Sequence, residues 1–158
     1  MKKIVLAAVV VALSSGSAYA GTATGSATAN VIAPIVVTHT PGATLNFGTF
    51  DAGTGGTVTV TAANVASSTG VTVVSGSTNS ADAFTIAGDG TRGYTISTAA
   101  GSVNSGANSM AFTTTPSAAT GALVAGAGSF TVGGTLTVSS GQAVGSYLGS
   151  YIATVNYQ

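Results

Sequence analysis

The 158-residue chain reads as all-β, an antiparallel immunoglobulin-like β-sandwich. Short runs of Val, Thr, Ile, Tyr and Phe recur at roughly ten-residue spacing, as strands do. Clusters of Gly, Ser and Asn separate them, with the chemistry of turns. Beyond residue 20 no segment carries apolar residues at helical spacing between caps. Richness in Gly and Ser can also mark a disordered tract, but recurring β-branched alternation argues for packed strands.

Residues 1–20 read as a secretory signal peptide that is removed. Lys2 and Lys3 open it, an apolar run follows from Ile4 to Leu13, and Ala18-Tyr19-Ala20 forms a small-residue cleavage site before Gly21. The run is too short to span a bilayer. No later segment is long enough either, so a secreted product with no membrane span is expected.

Residues 21–33 read as an arm separate from the body. Ala23, Gly25, Ala27, Ala29 and Val31 share one parity, and Thr24, Ser26, Thr28 and Asn30 the other. This is strand alternation, with residues 22–31 the predicted strand, yet its apolar side is nearly all small. Each extra buried CH₂ is worth only about 0.8 kcal/mol, so such a strand adds little to a core of its own. Pro34 removes a backbone donor and marks a break or an edge.

The body is residues 34–158. Predicted strands cover residues 35–40, 44–50, 57–62, 71–75, 83–87, 94–98, 109–113, 128–138 and 146–157. The last is the longest aromatic-rich alternation. Tyr147, Gly149, Tyr151, Ala153, Val155 and Tyr157 fall on one face, with Leu148, Ser150, Ile152, Thr154 and Asn156 on the other. A chain that ends on a core strand leaves the next sheet edge uncovered, and uncovered edges pair with other chains. A building block of an extracellular polymer is therefore the expectation.

Composition narrows the alternatives. There is no cysteine, so disulfides, common in exported proteins of this size, are excluded. Loss of both lysines with the signal also excludes a Lys–Asn isopeptide cross-link. Arg92 is then the one cation against Asp51, Asp82 and Asp89. That balance lacks the basic footprint of nucleic-acid binding and the polybasic face of a membrane-surface binder. It also opposes assembly with little net repulsion.

Motifs for chemistry are weak. Gly88-Asp89-Gly90-Thr91-Arg92-Gly93 matches G-x-G-x-x-G, but a dinucleotide site needs a preceding parallel strand and a following helix. Here two alternating segments flank it, which predicts a hairpin loop with a local Asp89–Arg92 contact. His39, the one histidine, reads as a turn or strand-end residue, since a Ser–His–Asp triad needs an orienting carboxylate and an activated serine. Zinc needs three or four ligands. Calcium at loop carbonyls with Asp82 or Asp89 lacks both the EF-hand spacing and the nonapeptide repeat. Without glutamate and with dispersed aspartates, a glycosidase pair is not expected. The reading is no enzyme, no cofactor and no metal. Phe47, Phe50, Phe84, Tyr94, Phe112, Phe130, Tyr147 and Tyr151 read as core rather than a carbohydrate platform.

Four stretches carry a resemblance: ATANVIAPIVV, LNFGTF at residues 45–50, FTIAGDGTRGYTIS at residues 84–97, and VGGTLTVSSGQAVGSYLGSYIATVNYQ to the end. They resemble a family of small secreted bacterial proteins, the domain-of-unknown-function family 4402. The layout is also similar to the spore-coat-U-like pilins of archaic chaperone–usher pili, which, unlike this chain, commonly carry cysteines. The resemblance implies an incomplete sandwich, a bacterial surface location reached through the periplasm, and assembly by a periplasmic chaperone and an outer-membrane usher. A homopolymer would grow as the arm of one copy replaces the missing strand of the next. Carried onto this chain, the donor strand lies at about residues 22–32, with Ala23, Ala27, Ala29 and Val31 at the subunit interface. The acceptor and chaperone edge comprises Tyr147, Tyr151, Val155 and Tyr157. The small arm residues suggest a shallow groove. Two rivals are a monomeric surface module that binds through loops at residues 75–81 and 99–109, and a secreted hydrolase dependent on His39.

Overall fold

The computed structural model describes residues 20–158, and the expected signal peptide lies outside the described residues except for Ala20. Residues 20–31 and Ile32–Gln158 belong to two separate units. Residues 20–31 contain no strand and are exposed throughout. The strand expected over residues 22–31 is therefore not formed here, because Ala and Gly side chains offer too little apolar area to hold an isolated strand.

In Ile32–Gln158 the alternating Val, Thr and aromatic runs become strands, and no helix occurs among the described residues. In chain order these are β1 (Val36–His39), β2 (Phe50–Asp51), β3 (Gly56–Val60), β4 (Ala66–Thr69) and β5 (Thr72–Val73). There follow β6 (Asp82–Ala87), β7 (Gly93–Thr98), β8 (Gly101–Ser105), β9 (Asn108–Pro116) and β10 (Thr120–Ala122). The last are β11 (Ala127–Val138), β12 (Leu148–Ser150) and β13 (Ala153–Tyr157). All pairings are antiparallel. The large sheet runs β1-β6-β11-β9-β8-β12, with β3 and β4 added beside β11; a second sheet runs β10-β7-β13, and β2 pairs with β5. The fold is an all-β antiparallel sandwich-like architecture.

The 12-residue β11 organises it. Its first half pairs with β6 and its second half with β3. Both lie on the edge opposite β9, since Val132 faces Asp82 and Pro116, while Leu136 faces Val58 and Phe112. Its alternate residues Phe130, Val132, Leu136 and Val138 are buried, so one strand feeds two core clusters. The first cluster gathers Phe47, Val58, Val60, Val71, Met110, Phe112, Leu136 and Val138. The second gathers Ile86, Tyr94, Ile96, Leu123, Phe130, Val132 and Val155. All eight aromatics expected in the core are buried or packed against these clusters.

Some expectations change. Residues 99–109 were expected as a loop but form β8 and the β8–β9 hairpin, where Gly106 takes the positive φ of a tight turn (58°). β4 and β10 also went unanticipated: β4 is Ala-Ser-Ser-Thr with every residue exposed, so no burial pattern betrays it. Residues 88–93 are not the loop of a paired hairpin, since β6 lies in the large sheet and β7 in the small one. Gly88 serves close packing there, as a Cβ would strike the Tyr157 hydroxyl and Leu123.

The strand expected over residues 146–157 divides in two. β12 follows β8 in the large sheet, then β13 follows β7 in the small one. Pairing holds at Ser150–Ser102 and resumes at Ala153–Thr98. Ala99, Ala100 and Gly101 thus oppose only Tyr151 and Ile152, and an extra residue of this kind bends a ladder. The inward alternation survives the bend, with Val155 buried and Tyr147, Tyr151, Ala153 and Tyr157 half-buried.

Candidate functional site

An open trough lies between residues 39–52 and residues 142–151. Its larger hollow measures about 670 Å³ and its smaller about 370 Å³; Leu45, Phe47 and Val103 line both, so the two are continuous. Met110 and Leu136 floor the larger, and Phe112 and Phe84 the smaller. These belong to, or pack on, the two core clusters. The floor of the trough is therefore the side of a core, with polar side chains such as Asn46, Thr49, Gln142 and Ser146 along its walls.

Its first wall is firmly held. Asn46 and Ser80 exchange two main-chain hydrogen bonds (2.8 and 3.0 Å). The Asn79 side-chain amide donates to the Phe47 carbonyl (2.6 Å), the Thr49 amide to Ser77 Oγ (2.6 Å), and the Ser80 hydroxyl to the Thr44 carbonyl (2.7 Å). Residues 75–81, expected as a recognition loop, are therefore spent largely on bracing this wall. The bracing fixes Leu45 and Phe47 toward the trough.

The second wall is looser. β12 hydrogen-bonds to β8 on one edge and ends the large sheet. Ahead of it, Gln142 Nε2 donates to the Tyr147 hydroxyl (2.9 Å), which donates to the Ala143 carbonyl (2.8 Å). These bonds staple residues 142–147 to themselves. Val144 and Leu148 line the hollow yet are 101% and 76% exposed.

A buried carboxylate closes the far end. Asp82, 5% exposed, accepts from the Ala83 amide (2.9 Å) and the Tyr151 hydroxyl (2.8 Å), and its other partner is His39 Nε2 (2.7 Å). Burial, then the hydrogen bond to Asp82 and its charge, hold the Tyr151 phenol proton well above its ordinary range. Tyr151 is thus a permanent donor at ordinary pH. The sequence showed His39 and Asp82 only as isolated residues; pairing of β1 with β6 brings them together. The arrangement anchors the end of β1 to the crossover between β12 and β13. Among the described residues no group of His, Cys, Asp and Glu is placed to hold a metal ion. Asp89 instead pairs with Arg92 Nε (2.9 Å), the local contact expected.

Tyr151 also links the clusters. Ring contacts run from Phe47 to Phe112 (5.9 Å), to Tyr151 (6.1 Å), to Phe84 (6.2 Å) and to Phe130 (5.0 Å). Beyond it β1 and β13 approach each other as unpaired edges. The Ile152 carbonyl and the Gln158 amide bond toward β7. By alternation, the main-chain groups of Ala153, Val155 and Tyr157 face away from β7, toward the free edge. The Tyr157 hydroxyl accepts from the Asp89 amide (2.6 Å) and donates to the Ala33 carbonyl (3.0 Å), drawing this half shut.

Of the residues read as an acceptor edge, Tyr147 and Tyr151 line the trough, while Val155 and Tyr157 belong to the closed half. Ala23, Ala27, Ala29 and Val31 are exposed and outside any strand. Sequence reasoning missed Leu45, Met110, Val103 and Gln142 as lining residues. Phe47 was expected in the core, but not what it would face.

Residues 35–157 match the family model Domain of unknown function (DUF4402). The chain belongs to that family. The matched span takes in every strand and both walls of the trough, so the trough is a feature of the DUF4402 domain itself. No curated protein and no solved structure matches the chain. No helix among the described residues is long and apolar enough to cross a membrane.

Proposed function

We propose that this DUF4402 protein is a structural subunit of an extracellular filament or pilus. Residues 21–33 of one copy insert as a strand into the trough of the next. The observation that carries this reading is the trough: its floor is core, and its second wall carries the free edge of β12. A strand added there gains main-chain partners and covers apolar surface at once.

Residues 21–33 suit the role by charge and alternation. They contain no acidic or basic side chain, and apart from its tyrosines the trough lining offers only Asp51, His39 and Asp82. Ala23, Ala27, Ala29 and Val31 fall on the parity that would face the floor. Layout similar to spore-coat-U-like pilins supports the same mechanism, with a periplasmic chaperone covering the trough before an outer-membrane usher passes the subunit outward. The surface then carries a homopolymer.

Deleting residues 22–32 is expected to leave a folded subunit that forms no filaments in electron micrographs. Filaments of normal length from the truncated chain would overturn the reading.

A further inference from the structure

The inward face of the arm is Ala23, Gly25, Ala27, Ala29 and Val31, so it would meet a hollow of about 670 Å³ with little more than methyl groups. Apolar floor left without close neighbours forfeits dispersion contacts, and a wall that narrows the trough restores them. Its two walls differ in their freedom to move. The first is laced to residues 74–80 by main-chain and side-chain bonds. In the second, residues 139–147 form no strand. Their backbone bonds amount to the Gln142 amide donating to the Ser139 carbonyl (3.2 Å), inside the same loop.

The Gln142–Tyr147–Ala143 staple makes the loop one unit. Gly141, in a left-handed conformation (φ 66°) with open space around it, supplies a pivot. Segments with few main-chain ties to the rest of the fold open and close most readily, and here the Tyr147 ring, packed on the first core cluster, is the anchor about which the loop turns. This loop also holds Val144 entirely in solvent at the rim of the larger hollow, above its apolar floor, and Leu148 stands beside it.

We propose that residues 139–147 are the moving lip of the trough, swinging as a stapled unit to close over an inserted strand from a second copy and burying Val144 against it. This rests on the filament reading. The lip supplies the volume that the small residues of the arm do not, and lets a strand without large side chains be held.

The chain has no cysteine, so Val144→Cys carries a unique thiol at an exposed site. Dilute full-length V144C is treated with a thiol-reactive dye, with and without an excess of a fluorescein-labelled peptide of residues 21–33. Binding of the peptide is followed separately by anisotropy. V124C is the control, since Val124 is 76% exposed and lies outside the trough lining. Peptide binding is expected to slow dye labelling at position 144 by about tenfold or more, and to leave position 124 unchanged. Binding with no protection at 144, or with equal protection at 124, overturns the lip and leaves the filament reading standing. Absence of binding overturns both.

Discussion

The two halves of the core are built from the same strand and end differently. Around Phe130, Val132 and Val155 the edges β1 and β13 draw together, with Ile35, Val37 and Tyr157 packed over the cluster. Around Met110, Phe112 and Leu136 the walls stand apart, and the core looks out through the trough. Composition does not explain the difference, because both clusters combine β-branched with aromatic residues. The closed half is fastened by the Tyr157 hydroxyl, which reaches main chain on both sides of the gap, while Tyr151 ties the boundary between the halves to Asp82. In the open half, Tyr147 turns its hydroxyl back on its own loop. Where a tyrosine finds its partner thus separates a sealed edge from one that can receive a strand.

That contrast can be tested. The largest effect is expected in the sealed half: Phe130→Ala should cost about 3–5 kcal/mol, since Phe130 is 4% exposed and stacked on Phe84. Met110→Ala, at the floor of the trough, should fall near the bottom of the range of about 2–5 kcal/mol, because the space it leaves joins an opening water already reaches. Urea denaturation of both variants decides it, and equal losses would break the comparison.

Asp82→Ala comes next. It leaves the Tyr151 hydroxyl and the Ala83 amide without their acceptor, a loss of about 1–3 kcal/mol by the usual cost of an unsatisfied buried group. Because Tyr151 joins both clusters, the same variant should loosen the boundary between them, visible as faster amide exchange in β13 and β1 together. Exchange altered in only one of these strands would remove Tyr151 as the link.

The smallest effect is an alkaline one. The phenol of Tyr151 is raised from an ordinary value of 10.0, so its neutral form is favoured in the folded chain. The stability this contributes is fully present below pH 10 and is lost as pH rises beyond it. Tyr151→Phe should flatten that decline in a melting-temperature series, and an unchanged slope would assign it to another group.

Much of the architecture could be read beforehand where side chains alternate. β3, β6, β7 and β11 each largely alternate bulky apolar residues with small or polar ones, and each lies close to where expected. β4, β8 and β10 escaped because Ser, Thr, Gly and Asn serve an exposed strand as readily as a turn; pairing with a neighbour makes them strands. The final alternation predicted which side chains turn inward, but not that a one-residue excess opposite it would divide the strand between two sheets. Of the site, Tyr147 and Tyr151 stood out in the sequence. His39 with Asp82 did not, being 43 residues apart.

Local periodicity, charge and the absence of cysteine were enough to establish an all-β body without disulfides, with an alternating small-residue segment ahead of it. Those properties belong to the chain order and need no knowledge of neighbours. The trough, its stiff and loose walls, and the carboxylate at its end arise from contacts between residues far apart in sequence. Which edge is left unpaired depends on how every other strand has been placed, and that is settled by long-range packing, which no local pattern encodes.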